Sequence, residues 1–338
     1  MKTSLLLVVI TFLSLPVFCL EFESLSGNTF NFYIENDSRN IGGPGSDQSY
    51  TNGFKLSYIL SNNKQPNWAK KLTNWSDFLR KEFNKSNTNY GISLAQQIYS
   101  PSNIVNKNPN LEDRPYAGWL NLGFLVHFRT KSHSQFFSIN LGVVGPAAKG
   151  EEVQNSFHRL IGTTESQGWK NQLKNEPSLQ LYYQNRSRFI ELFGKQKKYF
   201  DLIPYYGASI GNVLTETHLG GLLRYGINLP DDFGPTRDSA GDGDKFNSED
   251  LNLSHGSSFY LFTGVRGLMV ARNLFLDGNT YQESPRVHKH ILVIESDFGT
   301  GFKLERWDVI WRFVTRSPEF KEQSYFNSFA SVTISYSL

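Results

Sequence analysis

Cysteine is almost absent from this chain, with Cys19 the only one among 338 residues. Cys19 closes a segment expected to be cleaved, so the mature chain carries no thiol. A disulfide framework, a thiolate metal site and a cysteine nucleophile are thereby excluded. A strong charge of one sign is missing too. The formal net charge is +3 and no long basic tract occurs, which argues against nucleic acid as a partner. Past the first 20 residues, no run approaches the roughly 18 apolar residues of a transmembrane helix. Mean hydropathy is −0.40. There is no Gly-x-Ser-x-Gly elbow, no internal repeat, and no histidine spacing suited to zinc.

What is present points to export and to strands. Lys2 precedes an apolar run from Leu5 to Phe18, and Val17-Phe18-Cys19 offers a cleavage site. Residues 1–19 read as a secretory signal peptide, leaving 20–338 as one domain. Aromatics are abundant, with 27 Phe, 16 Tyr and 6 Trp. An exported chain of this kind, without cysteine pairs or an apolar helix, fits an outer-membrane barrel.

Periodicity strengthens that reading. Barrel strands alternate lipid-facing apolar residues with lumen-facing polar or small ones. Alternating segments begin at Phe30 and Phe54 and continue at 90–99, 117–129, 135–144, 177–188, 200–211 and 217–228. Four more follow at 257–270, 290–302, 304–316 and 326–338. The total of 12 is even, as a single-chain bacterial barrel requires. The expected fold is therefore all-β: a transmembrane antiparallel barrel of about 12 strands. Among the connections, 75–83 reads as a short interfacial helix, and Asp-, Gly- and Ser-rich 229–256 as a mobile surface loop.

One stretch breaks the strand pattern. Glu151-Glu-Val-Gln-Asn-Ser-Phe-His-Arg-Leu-Ile161 opens with acids, which suit a helix N-terminus, and is followed by Gly162 at a C-cap position. Gln154 and His158 are four apart and share one helix face. His158 could act as a general base near neutral pH, or simply be a packed histidine. Glu35-Asn36-Asp37 and Tyr50-Thr51-Asn52-Gly53 would meet at one rim if their strands form a hairpin. Asp37 and Thr51 could then offer hard oxygen ligands of the type calcium prefers, or serve as turn residues. Arg114, in Asp113-Arg-Pro-Tyr-Ala-Gly118, could hold a phosphate or carboxylate in a bidentate way, or form a structural salt bridge with Asp113 or Glu112.

Taken together, these motifs and Tyr99-Ser100-Pro101, Gly142-Val-Val-Gly-Pro146, Asn228-Leu-Pro-Asp-Asp-Phe-Gly234 and Phe275-Leu-Asp-Gly-Asn279 resemble one family. It is the lipid A 3′-O-deacylase (LpxR-type) family of Gram-negative outer membranes, and the resemblance spans nearly the whole mature chain. It implies a 12-stranded outer-membrane barrel with a short helix at the extracellular side. It implies removal of the 3′-linked acyl chain from lipid A, with Ca²⁺ as cofactor and a phospholipase A2-like arrangement. Carried over residue by residue, His158 is the catalytic base, with Asn36, Asp37 and Gln154 beside it. Asp37, Thr51 and Glu165 are calcium ligands, and Arg114 and Lys107 contact substrate. The sequence departs from the family at Thr164, which stands at the family's glutamate position with Glu165 adjacent. Implied partners are lipopolysaccharide and the membrane, and a monomer is expected. Two other readings stay open: a phospholipase acting on glycerophospholipids, and a barrel without chemistry, either pore or structural.

Overall fold

The computed structural model describes residues 28–36, 49–60, 87–108, 110–130, 132–188, 199–230, 232–238, 241–242 and 257–338. The signal segment 1–19 and the stretch 75–83 lie outside the described residues. Twelve strands close into an antiparallel barrel. They are β1 (Thr29–Asn36), β2 (Ser49–Leu60), β3 (Asn87–Ser100), β4 (Ala117–Arg129), β5 (His133–Val144) and β6 (Glu176–Ser187). The rest are β7 (Phe200–Gly211), β8 (Leu214–Ile227), β11 (Ser258–Asn273), β12 (Leu292–Leu304), β13 (Trp307–Arg316) and β14 (Asn327–Ser337). A small hairpin, β9 (Arg237–Asp238) with β10 (Gly241–Asp242), stands between β8 and β11. Every barrel strand pairs with its neighbour in sequence, and β1 closes on β14 from Thr29↔Ser337 to Asn36↔Ala330. All 12 alternating segments read from the sequence are strands of the barrel.

Alternation assigns each strand an inner and an outer face. On β11, Ser258, Tyr260, Phe262 and Arg266 are buried, while Phe259, Leu261, Val265 and Met269 are exposed. The exposed set is apolar because it meets lipid hydrocarbon rather than water. The lumen instead holds arginines and carboxylates. Arg224 grips Asp201 through Nε at 2.9 Å and Nη2 at 2.6 Å. Glu295 receives both Arg266 and Arg316, and Arg312 lies 3.1 Å from Asp297. Buried ions of this kind persist only when paired, because an uncompensated one costs several kcal/mol.

The connection after β8 corrects the sequence reading. Its described part is no surface loop but a plug that enters the lumen. Asp232 pairs with Arg224, and Arg186 Nη1 donates to the Pro235 carbonyl at 2.8 Å. Tyr182 Oη donates to the Arg237 carbonyl at 2.6 Å, and the Arg237 guanidinium lies 4.9 Å from the Phe329 ring centre. Phe233 is buried among Ile203, Leu222, Tyr260, Phe262 and Ile310. An Asp- and Gly-rich composition suits mobile loops, but it equally supplies acceptors for luminal guanidinium groups. Composition alone does not separate the two.

At the opposite rim, Arg114 Nη2 pairs with Glu319 Oε2 at 2.6 Å, across 205 residues of sequence. The partner is thus neither Asp113 nor Glu112. Arg316 adds a second contact to Glu319 at 3.1 Å. Burial raises the Glu319 carboxyl, but Arg114 and Arg316 outweigh it and hold the group below the usual carboxylate range. A depressed carboxylate adds stability above its unfolded pKa and loses it as pH falls through the folded value.

Two outcomes follow. The intact protein in a planar bilayer should show no steady porin-like conductance, and deletion of 231–242 should open one; steady conductance from the intact protein would contradict the plug. Glu319→Gln should cost about 3–5 kcal/mol in urea unfolding, the usual loss for breaking a buried pair. The same change should flatten the acid limb of stability against pH.

Candidate active site

The site is built around helix α1 (Gly150–Ile161). Glu151 and Glu152 occupy its first turn, favourably placed at the positive end of the helix dipole. Gly162 caps the other end at φ 72°, a left-handed conformation that glycine adopts without penalty. Thr163 N then donates to the His158 carbonyl at 2.9 Å.

The helix is amphipathic in reverse. Gln154, Asn155 and His158 are buried, His158 to 2% exposure, whereas Val153, Leu160 and Ile161 stand 41%, 61% and 44% exposed. A helix at a water-facing surface would turn the other way.

Strand parity shows what the buried polar face covers. On β4, Ala117, Trp119 and Asn121 point to the lumen while Leu122 and Phe124 are exposed, so Gly118 faces outward. A Cβ on Gly118 would lie 3.2 Å from both the Ala148 Cβ and the Gly150 nitrogen. The chain entering α1 therefore rests on the outside of the barrel wall, and a glycine permits the approach. On β3 the outward residues are Gln96, Ile98 and Ser100. Gln96 Nε2 donates to the Ala148 carbonyl at 2.6 Å. Ile98 packs with Tyr116 and Trp169. Gln154 Nε2 donates to Ser100 Oγ at 3.0 Å, and Gln154 Oε1 accepts from Trp169 Nε1 at 2.8 Å. Both ends of the Gln154 carboxamide are thus pinned between wall and helix.

His158 Nδ1 lies 2.6 Å from the Thr164 carbonyl oxygen. A carbonyl only accepts, so Nδ1 carries the hydrogen and the neutral ring bears its basic lone pair on Nε2. Asn36 pairs with Asn52 across β1–β2, and Asn52 with Ile98 across β2–β3. All three positions lie on outward-facing parity, so one row on the outer wall runs from Asn36 to the strand beneath α1. The motifs of β1 and β2 do share a rim. Asp37 lies outside the described residues. Thr51 is described as backbone only, at the register shift between Tyr50 and Asn52.

Three other candidates are placed apart from this row. Lys107 is exposed, and its carbonyl accepts from Asn171 Nδ2 at 3.0 Å. Arg114 is enclosed with Glu319 and lies 5.2 Å from the Tyr99 ring centre. The Glu165 carboxylate pairs with Arg159 at 2.8 Å. Among the described residues no group of three or more His, Cys, Asp or Glu side chains converges on a metal position. Asn36 in the row offers an oxygen, and Asp37 and Thr51, next to Asn36 and Asn52 in sequence, are oxygen-bearing residue types, which fits a hard cation such as calcium in kind.

Sequence reasoning missed Asn155, Trp169, the Ser100 hydroxyl and the Thr164 carbonyl. Ser100 lay inside a motif already noted. A carbonyl leaves no mark in a sequence, and Trp169 had no distinguishing neighbour.

A solved structure, LpxR from Salmonella typhimurium, superposes with a TM-score of 0.73 at 20% identity, covering 92% of this chain and 100% of that one. The β domain of the Bordetella autotransporter BrkA gives a TM-score of 0.43 at 8% identity, with 93% and 100% covered. The NalP translocator domain of Neisseria meningitidis gives 0.42 at 10%, with 99% and 97% covered. No curated protein matches the chain. A family model described as "Outer membrane protein LpxR" matches residues 5–338. With that match over nearly its whole length, and a closed barrel bearing an apolar outer belt, the chain belongs to the LpxR family of outer-membrane proteins.

Proposed function

We propose that this chain is a hydrolase that removes the 3′-linked acyl chain of lipid A in the outer leaflet, with His158 as base and Ca²⁺ as cofactor. Family membership supports the substrate. The observation that carries the reading is the position of His158, on the outer side of the barrel wall beneath an inside-out helix. A base placed there serves a substrate arriving from the lipid phase, not one passing through the lumen. The apolar residues Val153, Leu160 and Ile161 continue the lipid-facing belt of Leu122 and Leu141, as contact with acyl chains requires.

The chemistry follows from the tautomer. Nε2 of His158 accepts a proton from water as the water oxygen adds to the ester carbonyl carbon. Collapse of the tetrahedral adduct breaks the bond to the sugar oxygen, and the imidazolium returns its proton to that leaving oxygen. The fatty acid and the free hydroxyl are the products. Gln154, pinned at both ends, and Asn36 border the site and orient what enters it. Lys107 meets a lipid A phosphate, while Arg114 anchors the same connection through Glu319. Calcium, held by Asp37 and Thr51, would supply positive charge for the carbonyl oxygen. Glu165 joins that set only by exchanging its partner Arg159.

The luminal plug weighs against the pore reading. A glycerophospholipase would use the same chemistry, so the product decides between them. Mass spectrometry of lipid A from cells expressing the chain should show loss of the 3′ acyl group. His158→Ala should leave a folded barrel and lower the rate by on the order of 10²–10⁴-fold, the usual contribution of a general base. A calcium chelator should also abolish the loss. Deacylation undiminished in His158→Ala would refute the base. Intact lipid A accompanied by lysophospholipid would move the assignment to glycerophospholipids.

A further inference from the structure

The base needs its ring held, and one contact that holds it is main chain. After Gly162 the chain reverses and runs back along the polar face of α1 without regular structure. Beyond Thr163, whose nitrogen donates to the His158 carbonyl at 2.9 Å, the return segment meets side chains of the helix. Thr164 O meets His158 Nδ1 at 2.6 Å. Two residues on, Ser166 N donates to Asn155 Oδ1 at 2.8 Å, and Asn155 Nδ2 donates to the Ser166 carbonyl at 3.2 Å. Beyond that, Trp169 Nε1 donates to Gln154 Oε1 at 2.8 Å.

Asn155 therefore acts as a two-pronged clamp, mimicking a strand pairing with a single carboxamide. It is buried at 9% exposure, and its donor and acceptor are both engaged by one residue of the return segment. The only charged side chain nearby on that segment, Glu165, turns outward to Arg159 at 2.8 Å. The Nδ1 partner of His158 is a neutral carbonyl. A carbonyl in an irregular segment sits where its backbone is placed, and Thr164 is placed between Thr163, bonded to the His158 carbonyl, and Ser166, bonded to Asn155.

We infer that Asn155 is a positioning residue for His158: by clamping Ser166 it sets the Thr164 carbonyl against Nδ1 and so selects the Nε2-basic tautomer. The inference rests on the proposed role of His158 as base. Three features make the clamp specific to Asn155. The carboxamide offers a donor and an acceptor at once, which Asp, Ser and Ala do not match at this length. It lies three residues before His158, on the same helix face. And at this rung Asn155 makes two hydrogen bonds that join the return segment to the helix.

The test uses the full-length protein refolded in detergent, assayed on lipid A with calcium. Asn155→Ala should keep the heat-modifiable migration of a folded barrel and a KM within about twofold of the intact protein. Its kcat should fall by roughly 10- to 100-fold, the usual cost of losing a group that orients a functional histidine. Asn155→Asp, which keeps the acceptor for Ser166 N but loses the donor, should fall between the two. A second arm does not depend on turnover. With ¹⁵N-labelled histidine, and His158 assigned by difference from His158→Ala, the intact protein should show protonated Nδ1 and unprotonated Nε2. Asn155→Ala should show a mixture of tautomers. An unchanged tautomer with unchanged kcat would overturn the clamp, as would a rise in KM alone. If the intact protein releases no acyl chain, the reading of the reaction fails. The tautomer arm still decides the role of Asn155.

Discussion

Closure of the barrel is the constraint on which everything else depends. Within hydrocarbon an unpaired backbone group costs several kcal/mol, so strands can cross only when no edge is left open. Pairing of β1 with β14 over the full length of β1 meets that demand. Once the ring is closed, each side chain has only two destinations, and parity decides which. The charged residues of the strands fall mainly inward, and the outward face is mostly apolar.

Inward charge brings its own requirement. Arg224, Arg266, Arg312 and Arg316 are each matched by carboxylates from neighbouring strands or from the rim connections. The segment after β8 completes this arrangement by carrying Asp232 and a series of carbonyl oxygens into the lumen. The same contacts that satisfy the arginines narrow the lumen. The outer face of the wall offers a second surface.

One stretch of the outer face is polar where α1 lies against it. Asn36, Asn52, Gln96 and Ser100 occupy lipid-facing positions near one rim. Bare hydrocarbon would not tolerate them, and α1 with its return segment covers the β3 end of the row. This is why α1 is inside out: its polar face matches a polar wall, and its apolar face replaces the lipid-facing belt that it hides. Gly118 and Gly150 permit the contact, and Gln154 and Asn155 then lock the cover in place. His158 is consequently buried, with Nδ1 on the Thr164 carbonyl, on the outer side of the wall.

How much of this was legible in the residues alone follows from how local each cause is. Alternation is a period-2 property of contiguous residues, so 12 strands and their order were readable directly. The helix over 150–161 was readable too, from its acidic start and its glycine cap, and so was the Gln154–His158 face. Pairings across long separations were not. Nothing local marks Glu319 as the partner of Arg114, or sends the segment after β8 inward, because both depend on which charges the closed lumen leaves unmatched. The orientation of α1 was equally hidden. An amphipathic pattern states that two faces differ, but which face turns inward depends on the polarity of the wall it meets. The sequence by itself therefore determined the barrel and its membrane, and it named the residues proposed to carry the chemistry. Only the tertiary structure decided that His158 sits outside the wall, held by a backbone carbonyl, since a carbonyl's position is set by packing and is written in no single residue.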